Sequence, residues 1–142
     1  DTGNADWGCQ GSDWGLPNVM NFPPSGPGAD IGSGKSNTDD ILEDCPSTTN
    51  AASMARALGP NWFLPSINEL NEMWENRDII NGRAVANGGA VFHPEAAYWS
   101  STEFDSDDAW VQDFDFGNSG DGDQFPFDKG SDNNLVRAVR AF

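Results

Sequence analysis

The large hydrophobic residues of this chain change their spacing part-way along the sequence. Between residues 66 and 74 they recur every three or four positions, which is typical of one face of a helix. Between residues 110 and 116 aromatic side chains instead alternate with other residues, which is typical of a strand with one buried face. The two patterns occupy separate segments, so helices are predicted first and strands after them.

Three helices are predicted before the change of period. The first covers Thr38–Asp44 with Asn37 as its N-cap, and the second runs from about residue 50 to 58. The third begins at Ser66 and Glu69, which have the spacing of a capping box. Its apolar face is predicted to be core and consists of Ile67, Leu70, Met73 and Trp74.

Four strands are predicted after it, at 98–102, 110–116, 124–129 and 135–142, joined as an antiparallel meander. In the second strand, alternation predicts that Trp110, Gln112, Phe114 and Phe116 face the core. The intervening positions are predicted to face outward, and these are Val111, Asp113 and Asp115.

The charge balance excludes some classes of partner. Seven Lys and Arg stand against 23 Asp and Glu, a formal net charge of −16. Such a field repels nucleic acid and anionic membranes, and it attracts divalent cations. No stretch approaches the roughly 20 apolar residues that span a bilayer, so membrane insertion is not expected.

The two cysteines, Cys9 and Cys45, are compatible either with one disulfide or with two separate buried thiols. A disulfide suits an exported protein. The chain begins at Asp1 rather than Met, and we interpret it as a processed product or a module of a larger exported protein. We therefore expect an extracellular or cell-surface location.

The acidic residues of the C-terminal third are mostly Asp on turn-forming sequence. Asp on turns is typical of a calcium site, whereas the exposed face of a helix would favour Glu. The alternative is that these are solvated turns without metal. We predict Ca²⁺ as the cofactor, and its candidate ligands are Asp105, Asp107, Asp108, Asp121, Asp123 and Asp128.

Several segments, taken in order, resemble a known family. They are Gly34-Lys35-Ser36-Asn37-Thr38, Cys45, Ala51-Ala52, Trp62-Phe63-Leu64-Pro65-Ser66, Glu69-Leu70, Tyr98-Trp99-Ser100-Ser101-Thr102, Ala109-Trp110 and the ending 136–142. Together they make about residues 5–142 similar to the Lcl C-terminal-domain-like family, a branch of the C-type-lectin-like superfamily. Similar domains occur at the ligand-binding ends of large bacterial repeat adhesins and in retroelement-diversified receptor proteins.

The resemblance implies a single compact α+β domain of the C-type-lectin-like fold over residues 1–142, with about two main helices on a small twisted antiparallel sheet and long loops. In such relatives the C-terminal loops and outer strand faces bind the ligand. Carried over to this chain, the ligand-binding residues are Val111, Asp113, Asp115, Gln124, Phe125 and Phe127. For Phe125 and Phe127, packing in the core is the alternative to stacking on a ligand.

The expected partner is a peptide segment or a glycan on another cell surface. The lectin motifs Glu-Pro-Asn and Trp-Asn-Asp are absent, so the usual sugar-chelating calcium site is not transferred and a peptide is favoured. The alternative function is a diversified receptor-binding protein without obligatory calcium.

An enzyme is not expected. A Ser/His/Asp triad would depend on His93, which precedes Pro94, and a structural role suits that residue better. A carboxylate-based hydrolase is the remaining catalytic alternative, but a pair of Asp side chains carries little information in so acidic a chain.

Overall fold

A computed structural model describes residues 1–13, 15–115 and 122–141, and the fold is mixed α+β, as predicted. In chain order the elements are β1 (Gly3–Asn4), α1 (Gly34–Asp44), α2 (Ala51–Arg56), β2 (Trp62–Phe63), α3 (Ile67–Glu75), α4 (Arg77–Ala86), β3 (Ala97–Glu103), β4 (Asp108–Asp113), β5 (Gln124–Asp128), β6 (Leu135–Val136) and β7 (Val139–Arg140). All four helices precede the main strands, which is what the change of hydrophobic period indicates.

The helix starts were predicted unequally well. The capping box of α3 is confirmed, since the Ser66 side chain accepts from the Glu69 backbone and Glu69 reaches back to the Ser66 backbone. The predicted start of α1 is wrong, because the helix begins at Gly34 after Ser33. Asn37 lies inside that helix and is buried, where its amide donates to the Gly28 carbonyl at 2.8 Å. The Asn37 side chain, predicted to cap the helix, therefore makes a hydrogen bond to a different segment of the chain.

Helix α4 follows α3 directly and was not predicted. It buries none of its residues, and Ile79 and Val85 are 67% and 65% exposed. Ile80 is the one large apolar residue of this helix that packs partly against the core, so the helix has no continuous apolar stripe and periodicity gives no clear signal for it.

The larger sheet has the strand order β1-β6-β3-β4-β5. Strands β3, β4 and β5 form the predicted antiparallel meander. The prediction of one long strand over 135–142 is wrong, because this segment contributes β6 and β7 to different sheets. Strand β6 lies parallel to β3, whereas β7 pairs with β2 in a separate two-stranded sheet.

Both faces of β4 are buried, which corrects one predicted orientation. Val111 has 0% exposure and packs in the same core cluster as Trp7 and Trp99. Trp110, on the opposite face, packs against Ile67. The outward placement of Val111 is therefore wrong, because the N-terminal segment and the first two helices cover the face that alternation assigned to solvent.

The N-terminal segment is fastened to this core by a disulfide and by indole hydrogen bonds. Cys9 and Cys45 are bridged, as the exported-protein interpretation favoured. The Trp7 indole donates to the Ser100 carbonyl, and the Trp99 indole donates to the Ala5 carbonyl, both at 2.8 Å. These contacts hold irregular backbone against β3 and bring residues 5–12 close to the turn that follows it.

Candidate functional site

Four aspartates lie together at one end of the meander. Asp105 and Asp107 lie on the turn between β3 and β4, Asp108 begins β4, and Asp128 ends β5. The strand register places Asp108 directly opposite Asp128. We call Asp105, Asp107, Asp108 and Asp128 the acidic loop cluster. All four were predicted as metal ligands from the sequence.

Local hydrogen bonds shape this cluster. Asp105 Oδ1 accepts from the backbone N–H groups of Asp107 and Asp108, each at 2.9 Å. Asp128 Oδ1 accepts from the Gly130 N–H at 2.7 Å, and Asp128 Oδ2 accepts from the Gln10 amide at 2.8 Å. These bonds fix the turn and the strand end in place, so the carboxylates are oriented by the backbone that carries them.

The surroundings of Asp108 disfavour the charged form of its carboxyl group. Burial raises the pKa of Asp108 above its usual value, and the charges of Asp105, Asp128 and Asp107 raise it further, against a lowering by Lys129. Within residues 1–13, 15–115 and 122–141, no three Asp, Glu, His or Cys side chains are grouped closely enough to form a ready-made metal cage. A cation at this cluster would therefore need ligand oxygens, backbone carbonyls or water besides the carboxylates.

Beneath the cluster lies a buried ion pair that sequence reasoning missed. The Lys129 ammonium contacts Glu103 Oε1, and both side chains have 0% exposure. The same ammonium donates to the carbonyls of Ser12 at 3.2 Å and Ser106 at 3.1 Å, and it lies 4.9 Å from the centroid of the Trp7 ring. Lys129 thus joins β5, the β3–β4 turn and the N-terminal segment. The available signal was a lone Lys among the acidic residues of the C-terminal third.

Glu103 is the less satisfied partner of this pair. Its second carboxylate oxygen is buried and has no hydrogen-bond partner among the described residues. Burial raises the pKa of Glu103, the bond and charge of Lys129 lower it, and the charges of Asp13 and Asp105 raise it. Glu103 is therefore a desolvated carboxylate, and among the described residues its side chain accepts a hydrogen bond only from the Lys129 ammonium.

The other predicted acidic residues lie at the opposite end of β4. The Asp113 N–H donates to the Asp123 carbonyl at 2.9 Å, and the Asp115 N–H donates to Asp113 Oδ1 at 2.8 Å. Asp121, a predicted metal ligand, and Phe116, a predicted core residue, lie outside the described residues, as does Trp14. The predicted metal ligands are therefore not one group, since Asp123 is separated from the acidic loop cluster by the length of β4.

The predicted ligand-contacting residues of β5 are partly buried. Phe125 and Phe127 pack against the main core cluster, with Phe127 at 6.0 Å from Trp99 between ring centroids. Gln124 donates to the Ile67 carbonyl at 3.2 Å. The core-packing alternative for the two phenylalanines therefore has direct support, although each ring keeps some exposed surface.

No protein-family model matches this sequence, and no curated protein matches it significantly. The resemblance to the Lcl C-terminal-domain-like family therefore stays a prediction. Among residues 1–13, 15–115 and 122–141, no helix is long and apolar enough to cross a membrane.

Proposed function

We propose that this protein is the calcium-assisted ligand-binding module of a bacterial surface or secreted adhesin. The observation that carries the proposal is the cross-strand pair of Asp108 and Asp128, with Asp105 and Asp107 on the adjoining turn. Like charges directly opposite one another destabilise a sheet. A cation between them offsets that repulsion, and Ca²⁺ is the common cation that takes carboxylate and carbonyl oxygens in irregular geometry.

In this proposal the ligand completes the coordination of the calcium ion. Calcium takes six to eight oxygen ligands. The acidic loop cluster offers fewer free carboxylate oxygens than this, because Asp105 and Asp128 already accept hydrogen bonds from the backbone. A ligand carboxylate or a pair of hydroxyl groups would supply the rest, and the positive ion would overcome the repulsion of an acidic surface for an anionic group. The partner is a peptide segment or a neutral glycan on another cell surface, with a peptide favoured because the lectin sugar motifs are missing.

The neighbouring surface contributes the remaining ligand contacts. Asp113, Asp115 and the exposed parts of Gln124, Phe125 and Phe127 stay in the proposed ligand surface, and Val111 leaves it because it is buried. The C-type-lectin-like fold and the extracellular location belong to the proposal too. The mixed α+β class and the ordered sequence resemblance support the fold, and the Cys9–Cys45 disulfide is compatible with export.

A second candidate is a receptor-binding variable protein that needs no calcium. The buried Lys129 ammonium favours it, because this side chain ties the β3–β4 turn and the N-terminal segment together without a metal ion. In that case the acidic loop cluster contacts a cationic partner directly.

Binding to peptide and glycan arrays, with calcium or with chelator, separates the two candidates. We expect binding that requires calcium and is lost in the double variant Asp108→Asn, Asp128→Asn. A matched control, Asp40→Asn with Asp78→Asn, removes two exposed helix carboxylates and should bind like the parent chain. Calcium-independent binding lost in the Asp108/Asp128 variant supports the second candidate. Binding that survives both chelation and the double variant contradicts both.

A further inference from the structure

A cavity of about 410 Å³ opens on the side of the fold away from the acidic loop cluster. Its lining includes Leu58, Trp62 and Arg137 together with Asp1 and Ala90. Arg137 directly follows β6, which neighbours the β1 edge of the large sheet, whereas the acidic loop cluster adjoins the β5 edge. The volume falls within the range of small-molecule binding sites, about 300–1,000 Å³.

The lining of this cavity is less acidic than the chain as a whole. The protein has 23 acidic and seven basic residues, yet the one carboxylate in the cavity lining is that of Asp1. Arg137 lines the cavity, and the Arg140 guanidinium lies 5.5 Å from the centroid of the Trp62 ring. One basic and one acidic side chain line the cavity and Arg140 lies nearby, so an anion meets less repulsion here than on the rest of the surface.

Arg137 is held in a fixed orientation. Its guanidinium donates to Asp1 Oδ1 at 2.9 Å and to the Ala90 carbonyl at 3.1 Å, and it stacks on Phe92 at 4.6 Å from the ring centroid. The side chain is 15% exposed. A guanidinium has five N–H donors in one plane, so these two bonds leave others for a ligand. A partly desolvated, pre-oriented guanidinium is well suited to a carboxylate.

The opposite side of the cavity is apolar. Trp62 lies in β2, where it pairs with Arg140 of β7, and its carbonyl accepts from Arg56 Nε at 3.0 Å. Gly59, with φ +142°, lets the backbone pass close to the indole, since a Cβ there would lie 3.3 Å from Trp62 Cδ1. Leu58 is 51% exposed beside it. The indole and the leucine together form a wall against which a flat or branched apolar group can pack.

We propose that this cavity binds a small organic carboxylate with an aromatic or branched apolar body. The carboxylate pairs with Arg137, and the body packs against Trp62 and Leu58. This site is independent of calcium and of the adhesin function proposed above, because none of its residues belongs to the acidic loop cluster.

Isothermal titration calorimetry in chelator, with phenylacetate as the probe and 2-phenylethanol as its neutral analogue, tests the proposal. We expect saturable one-site binding of phenylacetate and at least a tenfold weaker affinity for 2-phenylethanol. Arg137→Gln should weaken phenylacetate binding at least tenfold, whereas Arg83→Gln, on the exposed helix α4, should leave it unchanged. Equal affinity for the two probes, or no saturable binding of phenylacetate, overturns the proposal.

A second variant covers the case in which Arg137→Gln loses its fold. Leu58→Glu adds a carboxylate at a position that is already half exposed, so the protein should keep its melting temperature. We expect this variant to bind phenylacetate at least tenfold more weakly than the parent chain. Unchanged affinity in Leu58→Glu would show that phenylacetate binds elsewhere and would likewise overturn the proposal.

Discussion

Replacing Lys129 with Met removes the ammonium beneath the acidic loop cluster while keeping a side chain of similar length and apolar stem. The substitution deletes three hydrogen bonds, to Glu103 and to the carbonyls of Ser12 and Ser106. Glu103 then has no partner for either carboxylate oxygen, since the second one already lacks a partner among the described residues. The fold must either hold an unpaired buried charge or protonate it.

The cost follows from this burial. Both side chains of the pair have 0% exposure, and breaking such a pair by removing one partner costs about 3–5 kcal/mol. Packing of the Met side chain against Trp7 returns a small part of this. We therefore expect the free energy of unfolding at pH 7 to fall by about 4 kcal/mol, which for a urea m-value of about 2 kcal/mol/M lowers the midpoint by about 2 M.

Urea unfolding of both chains at pH 7 and pH 5 measures this effect. The loss should be smaller at pH 5, because protonation of Glu103 removes the uncompensated charge. Adding Glu103→Leu to the Met variant should recover more than half of the stability, since an apolar pair replaces a broken ionic one. Hydrogen exchange of the Gly11 amide, which donates to the Ser106 carbonyl at 2.9 Å, should accelerate in the single variant. A loss below about 1 kcal/mol at pH 7 would refute the reasoning.

Three further predictions concern stability. In calcium-free buffer the free energy of unfolding should rise as the pH falls from 7 towards about 5. Burial raises the pKa of Glu103 and Asp108, so the folded chain binds protons before the unfolded chain does. Urea titrations should show this slope flattened in Glu103→Gln, and an equal slope in that variant would count against the assignment. Replacing both cysteines with Ala should cost about 3–4 kcal/mol in the same assay, because the bridge closes a sequence separation of 36 residues; an unchanged midpoint would contradict this. Gly34→Ala should cost about 2 kcal/mol, because its Cβ would lie 2.2 Å from Glu69 Oε2 in the capping box. The control Gly82→Ala, which meets open space on α4, should stabilise by about 0.5–1 kcal/mol, and a similar gain from both would refute the clash.

Local signals predicted the parts of the fold that depend on local contacts. The Ser66–Glu69 capping box and the alternation around Trp110 each involve residues within a few positions of one another, so the sequence displays them directly. The start of α1 and the orientation of Val111 depend on tertiary packing: Asn37 serves the Gly28 carbonyl, and distant segments cover Val111. Alternation alone does not distinguish a strand buried on both faces from one buried on a single face.

The residue types of the candidate site could be predicted from the sequence, but the contacts between those residues could not. The turn aspartates were evident from the sequence, and four of the six predicted metal ligands lie at one end of the meander. Glu103 ends β3 and Lys129 directly follows β5, and the two residues are 26 positions apart in the sequence. No spacing rule predicts that they pair. The Arg137 cavity likewise depends on contacts with Asp1 and Ala90, which are remote in the chain.

Calcium binding by the acidic loop cluster, which we propose, is tested most directly by the melting temperature with and without calcium. Calcium at 100 times its dissociation constant should stabilise the fold by about 2.7 kcal/mol, which raises the melting temperature of a chain this long by about 8 °C. Magnesium should have a smaller effect, because it demands a stricter octahedral geometry. Asp108→Asn with Asp128→Asn should abolish the shift. A melting temperature that calcium leaves unchanged, or that calcium raises equally in the double variant, would contradict the account.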